Sequence, residues 1–181
     1  MTDPIAQEVV NFWIDAGTQK WWKKDPEFDA EIRRRFGQIH QQACRGECDH
    51  WAATPEGALA LILVLDQFSR NLHRNSPLAF AQDGKSAALV KALVEAGKDQ
   101  KMPSDVQAFC YLPLVHSEDL ANQQQAVDLM RALGWEVALR SAIEHRDIIA
   151  EFGRFPHRNK VLGRETTAAE QAFLDAGGFA G

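Results

Sequence analysis

The side chains in this sequence that could do chemistry gather in a few short stretches. The first stretch follows eight unbroken apolar residues, 58–65, and contains Asp66, Arg70 and Asn71. Asp66 and Arg70 are four residues apart, so they lie on one face of a helix. An apolar helix that ends in such charges either joins an internal ion network or lines a site.

The second stretch is PLVHSEDL, at residues 113–120. It places His116, Glu118 and Asp119 at the junction between two predicted helices. Ser117 is the predicted cap of the second helix, and both acids then lie in its first turn, where negative charge is favourable. Glu118 and Asp119 therefore have either this capping role or a role in a site.

Two further polar residues interrupt apolar stripes. Asp83 lies in the inward stripe of a helix predicted over 77–97, and His145 lies in that of a helix predicted over 136–152. For His145, as for His116, a hydrogen-bonded place in the core is the alternative to a role as a ligand or base.

The third stretch is the basic segment FGRFPHRNKVLGR, at residues 152–164. It has no acidic residue and carries a charge of +4 in a chain whose net charge is −5. Arginine binds a carboxylate or a phosphate through two donors at once. This positive excess meets either the protein's own carboxylates or an anionic ligand. The polar residues of the segment are Arg154, His157, Arg158, Asn159, Lys160 and Arg164.

Two functions follow if these stretches meet in space, as we expect. In the first, the chain is a binding protein whose polar pocket holds a small anionic molecule or a peptide. In the second, it is a hydrolase or group transferase, in which His116 or His157 is the general acid or base and Asp66, Asp83 or Glu118 orients it. The predicted ligand-binding residues are Asp66, Arg70, Asn71, Asp83, His116, Glu118, Asp119, His145, Arg154, His157, Arg158, Asn159 and Arg164.

Neither hypothesis requires a cofactor, and the sequence predicts no metal site. Cys44 and Cys48 lack the second pair of ligands that a structural zinc site requires. No phosphate-binding loop, dinucleotide-binding fingerprint or nucleophile elbow is present in the sequence. Because no export signal is found, we expect reduced thiols and a cytoplasmic protein.

The composition argues against two classes of partner, nucleic acids and membranes. A net charge of −5 and a pI of about 5.7 argue against a nucleic-acid partner. The apolar run of eight residues is far shorter than the roughly 20 that span a bilayer, so we also expect no membrane partner. The oligomeric state does not follow from the sequence.

The chain is predicted to be a single all-α domain over residues 1–181. Four capping residues, at positions 3, 25, 54 and 76, each stand directly before a proline, and Pro103 begins a fifth segment. No hairpin turn or period-2 alternation supports a strand. We expect about eight or nine helices in stacked antiparallel hairpins, of a tetratricopeptide-like kind. They are predicted at 4–16, 26–45, 55–72, 77–97, 103–116, 118–133, 136–152, within 157–163, and at 168–176.

Aromatic residues near the start of the chain are predicted to form its core. Trp13, Trp21 and Trp22 precede Phe28 and Phe36, which are eight residues apart on a predicted helix. Aromatics at this spacing usually face a core. An aromatic wall around a ligand is the alternative.

Several motifs in their order resemble the bacterial domain-of-unknown-function family 924. The most specific are LDQFSRN (65–71), LPLVHSED (112–119) and FGRFPHRN (152–159). The resemblance covers nearly the whole chain. It implies an all-α fold similar to tetratricopeptide-type stacks, in bacterial soluble proteins with no established activity, so no site residue is carried over. The family usually has Pro where this chain has Ser69, and Ser where it has Thr166.

Overall fold

The computed structural model of the chain describes residues 2–102 and 104–179, without the side chains of residues 104 and 105. Within these ranges the chain forms helices and turns and no strand, which confirms the all-α class. The start predicted at Pro103 lies outside the described residues. The α-helices are α1 (Pro4–Ala16), α2 (Thr18–Trp21), α3 (Pro26–Cys44), α4 (Pro55–Ile62), α5 (Ser69–Leu72), α6 (Asp83–Glu95), α7 (Ser104–Val115), α8 (Leu120–Leu133), α9 (Glu136–Phe152) and α10 (Ala168–Asp175).

The helix starts that the sequence marks most clearly are confirmed. The Asp3 carboxylate accepts from the backbone N–H of Ile5 at 2.8 Å, and the Asp25 carboxylate caps α3 in the same way. Thr54 caps α4, and α10 begins with a full capping box between Thr167 and Glu170. These contacts satisfy backbone donors that have no partner inside the helix.

The predicted helix over 55–72 is a buried rod with a wide turn in it. A π-helical segment, Leu63–Phe68, connects α4 to α5, and every residue from 57 to 69 is buried. Its start lies close against a neighbouring turn, because a Cβ atom on Gly57 would lie 2.2 Å from the carbonyl oxygen of Trp51. Only glycine fits that approach without a shift of the backbone. The π segment was not predicted, and such segments are frequent at functional sites.

The helix predicted over 77–97 is wrong at its start. Pro77–Ala79 forms a short 3₁₀ turn, and α6 begins only at Asp83. Phe80 therefore precedes the helix, and Asp83 is its first residue. The Ser-Pro pair marks the turn because Pro fixes its own backbone, but α6 begins without a side-chain cap. The buried face of the helix consists of Ser86, Ala87, Val90 and Leu93.

The contacts divide the chain into two compact units. Unit 1 consists of Met1–Arg74 and Leu78–Pro113, and unit 2 of Asn75–Pro77 and Leu114–Gly181. In the described ranges, none of the helices combines the length and the apolar character of a bilayer-spanning segment.

An aromatic cluster forms the core of unit 1, as predicted. Trp13, Phe28 and Phe36 are at most 4% exposed; Trp13 and Phe36 contact Phe68 of the π segment, and Phe28 contacts Trp13. Trp22 differs from the prediction, because 59% of it is exposed. It follows the last turn of the four-residue α2, where helical spacing gives no information about burial.

Unit 2 is built on the paired helices α8 and α9. Gly134 and Trp135 connect them, and Gly134 has the left-handed backbone that ends a helix without strain. After α9 the chain forms a 3₁₀ turn, Pro156–Arg158, and then α10. Ile148, Ile149 and Phe155 form the core of this part, and Phe152, Phe173 and Phe179 pack against it.

Candidate functional site

The predicted site residues belong to both units, and each set is described by itself. Unit 1 holds Asp66, Arg70, Asn71 and Asp83. Unit 2 holds the remaining predicted residues, which are His116, Glu118, Asp119, His145, Arg154, His157, Arg158, Asn159 and Arg164.

In unit 1, Arg70 lies between two carboxylates. Its NH1 group donates to the backbone oxygen of Asp66 at 2.9 Å and to the Asp66 carboxylate at 3.0 Å. Its NH2 group donates to Asp83 at 3.1 Å, and its guanidinium lies 5.6 Å from the centre of the Phe80 ring. Asp66 is fully buried and also accepts from the side chain of Gln67 at 2.5 Å. Asp66, Arg70 and Asp83, three of the residues that the sequence analysis expected to meet, are thus in contact within unit 1.

Asn71 takes part in a different contact of unit 1. It donates to Asp29 Oδ1 at 2.7 Å, and Arg74 donates to both oxygens of the same carboxylate. Asp29 lies on α3, so this contact fixes the end of the rod to that helix. The role of Asn71 in the structure is therefore to anchor α5.

In unit 2, Arg164 holds Glu118 through both donors of its fork. The two hydrogen bonds are 2.7 and 3.0 Å long, and the backbone N–H of Phe155 donates to the same carboxylate at 2.9 Å. Burial alone would raise the pKa of Glu118, but the hydrogen bonds from Arg164 and Phe155 lower it below its ordinary value. Glu118 is therefore a carboxylate at neutral pH and ties the basic segment to the start of α8.

A second bidentate pair joins Arg154 to Glu170. The bonds are 2.6 and 2.9 Å long, and Asn159 donates to the same carboxylate at 3.2 Å. Glu170 is 2% exposed, and the hydrogen bond from Arg154 is the main reason that its pKa lies well below the ordinary value. Asn159 also accepts from Arg164 at 2.9 Å, so it connects the two pairs.

His157 and Arg158 lie next to each other in the turn Pro156–Arg158. Arg158 is 6% exposed, donates to the backbone oxygen of His116 at 2.9 Å, and lies 4.5 Å over the Phe155 ring. The Nδ1 atom of His157 is buried and has no hydrogen-bond partner among the described residues. Burial, and then the positive charge of Arg158, lower the pKa of His157 to about 4. His157 is therefore a neutral imidazole at pH 7, and the hydrogen-bonding capacity of its buried Nδ1 is not used by the described residues.

Four rings form a closed chain of contacts around this imidazole. His157 contacts Phe155 at 5.6 Å and Phe179 at 5.1 Å between ring centres. His145 contacts the same two phenylalanines at 5.5 and 4.4 Å. His145 is buried and its Nδ1 donates to the backbone oxygen of Ser141 at 2.7 Å, so it fills the core role that we considered for it.

The start of α8 corrects one prediction. Asp119, and not Ser117, is the cap of α8, and its carboxylate accepts from the backbone N–H of Asn122 at 3.0 Å. Ser117 instead accepts from the backbone N–H of Asp119 and from the Asn122 side chain. Aspartate satisfies the free backbone N–H groups at a helix start as well as serine does, so Asp119 can cap a helix that begins at Leu120. Asp119 thus has the capping role that was the alternative to a site.

The comparisons with known proteins agree with this fold. The model of the family DUF924, described as a bacterial protein of unknown function, matches residues 9–178. The chain belongs to the DUF924 family. It is also similar to the solved structure of a protein of unknown function from Agrobacterium tumefaciens, with 44% identity and a TM-score of 0.91. The match covers 95% of this chain and 97% of the other. No curated protein matches the chain.

The sequence analysis of this DUF924 protein missed two groups of polar residues. The first is Glu170, which was not among the predicted site residues although its carboxylate binds Arg154 as well as capping α10. The other group is His40 with Ser69: His40 Nε2 lies 2.8 Å from Ser69 Oγ, and that hydroxyl donates to the Leu65 backbone oxygen at 2.6 Å. Because the serine proton is used there, His40 is the donor to Ser69. The spacing of 29 residues gives no signal for this pair.

The His40–Ser69 pair is expected to make the DUF924 fold sensitive to acid. Burial is the main cause that lowers the pKa of His40 to about 4, whereas an unfolded histidine has about 6.5. Because the unfolded chain then binds the proton at a higher pH than the folded chain, stability is lost as the pH falls from about 6.5 to about 4. We expect this loss to be on the order of 1–3 kcal/mol, measured by urea unfolding across that range.

A matched pair of variants tests the cause. His40→Gln keeps an N–H donor for Ser69 but does not titrate, so we expect a smaller loss of stability between pH 6.5 and 4. His50→Gln, at a histidine whose side chain is 64% exposed, should leave the loss unchanged. An unchanged loss in His40→Gln would contradict the assignment.

The chemistry open to these clusters is limited by their internal contacts. The forks of Arg70, Arg154 and Arg164 already hold carboxylates. In the described part of the chain, no group of three histidine, cysteine or acidic side chains is placed to hold a metal ion. Among these clusters, the turn Pro156–Arg158 is therefore the best candidate for a ligand-binding site.

Proposed function

We propose that this protein binds a small anionic ligand at the turn Pro156–Arg158 of unit 2. The observation that carries the proposal is the buried Nδ1 of His157, which lacks a partner among the described residues and lies beside the cationic Arg158. A neutral imidazole can donate this N–H to an anion oxygen. Glu118 and Glu170 hold the two outer arginines of the basic segment in place around it.

The low pKa of His157 favours binding over acid–base catalysis. A general base works best when its pKa lies near the working pH. With a pKa of about 4, His157 would be a weak proton acceptor at neutral pH. The form of the alternative in which His157 is the general base of a hydrolase or group transferase therefore has less support than a binding protein.

The proposal includes two broader features of the protein. The free thiols of Cys44, Cys48 and Cys110 agree with a cytoplasmic location, where thiols stay reduced. The pairing of α8 with α9 agrees with tetratricopeptide-like stacking of helical hairpins, which presents surfaces for ligands.

Binding of inorganic phosphate tests the proposal. We expect isothermal titration calorimetry to detect phosphate at millimolar concentration, and we expect about 3–6 °C of thermal stabilisation at tenfold excess over Kd. His157→Phe should weaken binding at least tenfold, since it keeps the ring contacts and removes Nδ1. Affinity for sulfate, which keeps its charge over this range, should rise as the pH falls from 7 to 5, because a bound anion favours the protonated imidazole.

The controls use exposed cations of the same unit. Lys160→Gln removes a positive charge two residues from Arg158 and should weaken binding by a few fold, whereas Arg140→Gln on α9 should not. Circular dichroism verifies that each variant is folded. A flat titration of the wild type, or equal affinity of His157→Phe, would reject the site.

A further inference from the structure

Trp22 presents an open aromatic face on unit 1, far in sequence from the proposed anion site. Its indole lies nearly parallel to the ring of Phe109, with an angle of 13° and 5.8 Å between ring centres. Although one face is covered in this way, 59% of the residue is exposed. The indole is thus held flat against the protein with its other face turned to solvent.

The support under this indole is rigid. Phe109 is 1% exposed on α7 and also contacts Trp13 and Trp21 edge-on, at 5.6 and 4.6 Å. The indole N–H of Trp21 donates to the backbone oxygen of Trp13 at 2.7 Å. Because its neighbour in sequence and its stacking partner are both fixed, Trp22 loses little freedom when a ligand binds.

Three exposed lysines lie within two residues of Trp22 in the sequence, and the ammonium group of Lys20 lies 5.3 Å from the centre of the Phe28 ring. Between Asp15 and Asp25 the chain has no acidic residue and three exposed lysines, in a protein of net charge −5. Among the described residues, Lys23 and Lys24 form no ion pair. The carboxylate of Asp25 accepts from two backbone N–H groups at the start of α3. We define the Trp22 patch as Lys20, Trp22, Lys23 and Lys24.

We propose that the Trp22 patch binds a nucleoside phosphate. The open indole face stacks on the base, and the lysines neutralise the phosphate group; both interactions are common in proteins that bind nucleotides in single strands. An indole that lies flat on the protein suits stacking better than insertion among lipids. Lysine is depleted at protein–protein interfaces, which argues against a protein partner. The inference is independent of the anion site in unit 2.

Titration with AMP tests the patch, and it is run in the His157→Phe background so that the two proposals fail separately. We expect AMP to bind and to quench tryptophan fluorescence, while ribose 5-phosphate and adenosine bind more weakly, since each lacks one of the two contacts. Trp22→Leu should weaken AMP binding about five- to a hundredfold, the range of a lost base stack. Trp22→Phe, which keeps a flat ring, should retain most of the affinity.

The charge contribution has its own matched control. Lys23→Gln/Lys24→Gln should weaken AMP binding, whereas Lys101→Gln/Arg140→Gln, which removes two exposed charges elsewhere, should not. Equal binding of AMP by the His157→Phe protein with and without Trp22→Leu would overturn the proposal. So would binding of the His157→Phe protein to anionic phospholipid vesicles, but not to AMP, with loss of vesicle binding when Trp22→Leu is added.

Discussion

Replacing Arg70 by methionine is expected to lower the free energy of unfolding by about 3–5 kcal/mol. Asp66 is fully buried and takes a hydrogen bond from Arg70, and Asp83 takes another. Methionine fills much of the space of the arginine stem but leaves these carboxylates without a positive charge between them. Urea unfolding at pH 7, followed by circular dichroism, measures the change.

An exposed arginine provides the control for this prediction. Arg45 forms a 2.6 Å ion pair with Glu47, but its side chain is 56% exposed, so Arg45→Met should cost much less than Arg70→Met. Adding Asp66→Asn to Arg70→Met should restore part of the lost free energy of unfolding. The second change removes the buried negative charge that the arginine had balanced. A loss in Arg70→Met as small as that in Arg45→Met would show that the cluster is not a buried ion network.

Replacing Glu170 by alanine is expected to cost about 2–4 kcal/mol. The change removes both hydrogen bonds to Arg154, the bond to Asn159 and half of the capping box. The cost should be smaller than for Arg70, since the Arg154 side chain is 30% exposed and water can reach it. Thermal and urea unfolding at pH 7 measure it, with Glu165→Ala, an exposed neighbour, as the control.

The pH dependence of this loss separates the ion pair from simple packing. Arg154 lowers the pKa of Glu170 in the folded state. The stability that the ionised Glu170 contributes is therefore present above the unfolded pKa of about 4.5 and is lost as the pH falls below that value. The gap between wild type and Glu170→Ala should therefore narrow toward pH 3. A gap that stays constant down to pH 3 would mean that the carboxylate charge contributes nothing.

The features that the sequence predicted well are local ones. Asp3 and Asp25 each stand directly before a proline, and the backbone donors that they satisfy lie two or three residues away. The burial of the rod follows from a run of apolar residues that leaves no polar face. Asp66 and Arg70 are one turn apart, so their contact could also be predicted from spacing.

The features that the sequence could not predict depend on contacts between distant residues. Arg164 and Glu118 are 46 positions apart, and no periodicity relates them. The basic segment showed that carboxylates or a ligand must face it, but only the fold identifies Glu118 and Glu170 as partners. The π segment and the exposure of Trp22 are likewise decided by what packs on the helix, which a pattern along the chain does not contain.

The hydroxyl of Ser69 connects the rod to α3 in a way that constrains sequence change. It accepts from His40 and donates to the Leu65 backbone oxygen. Proline, the residue that the family resemblance implies for this position, has neither a hydroxyl nor an N–H. A chain with proline there would leave a buried imidazole and a buried carbonyl without these bonds. We therefore expect the effects of substitutions at positions 40 and 69 to be coupled, because removal of the hydroxyl leaves the His40 ring without its acceptor.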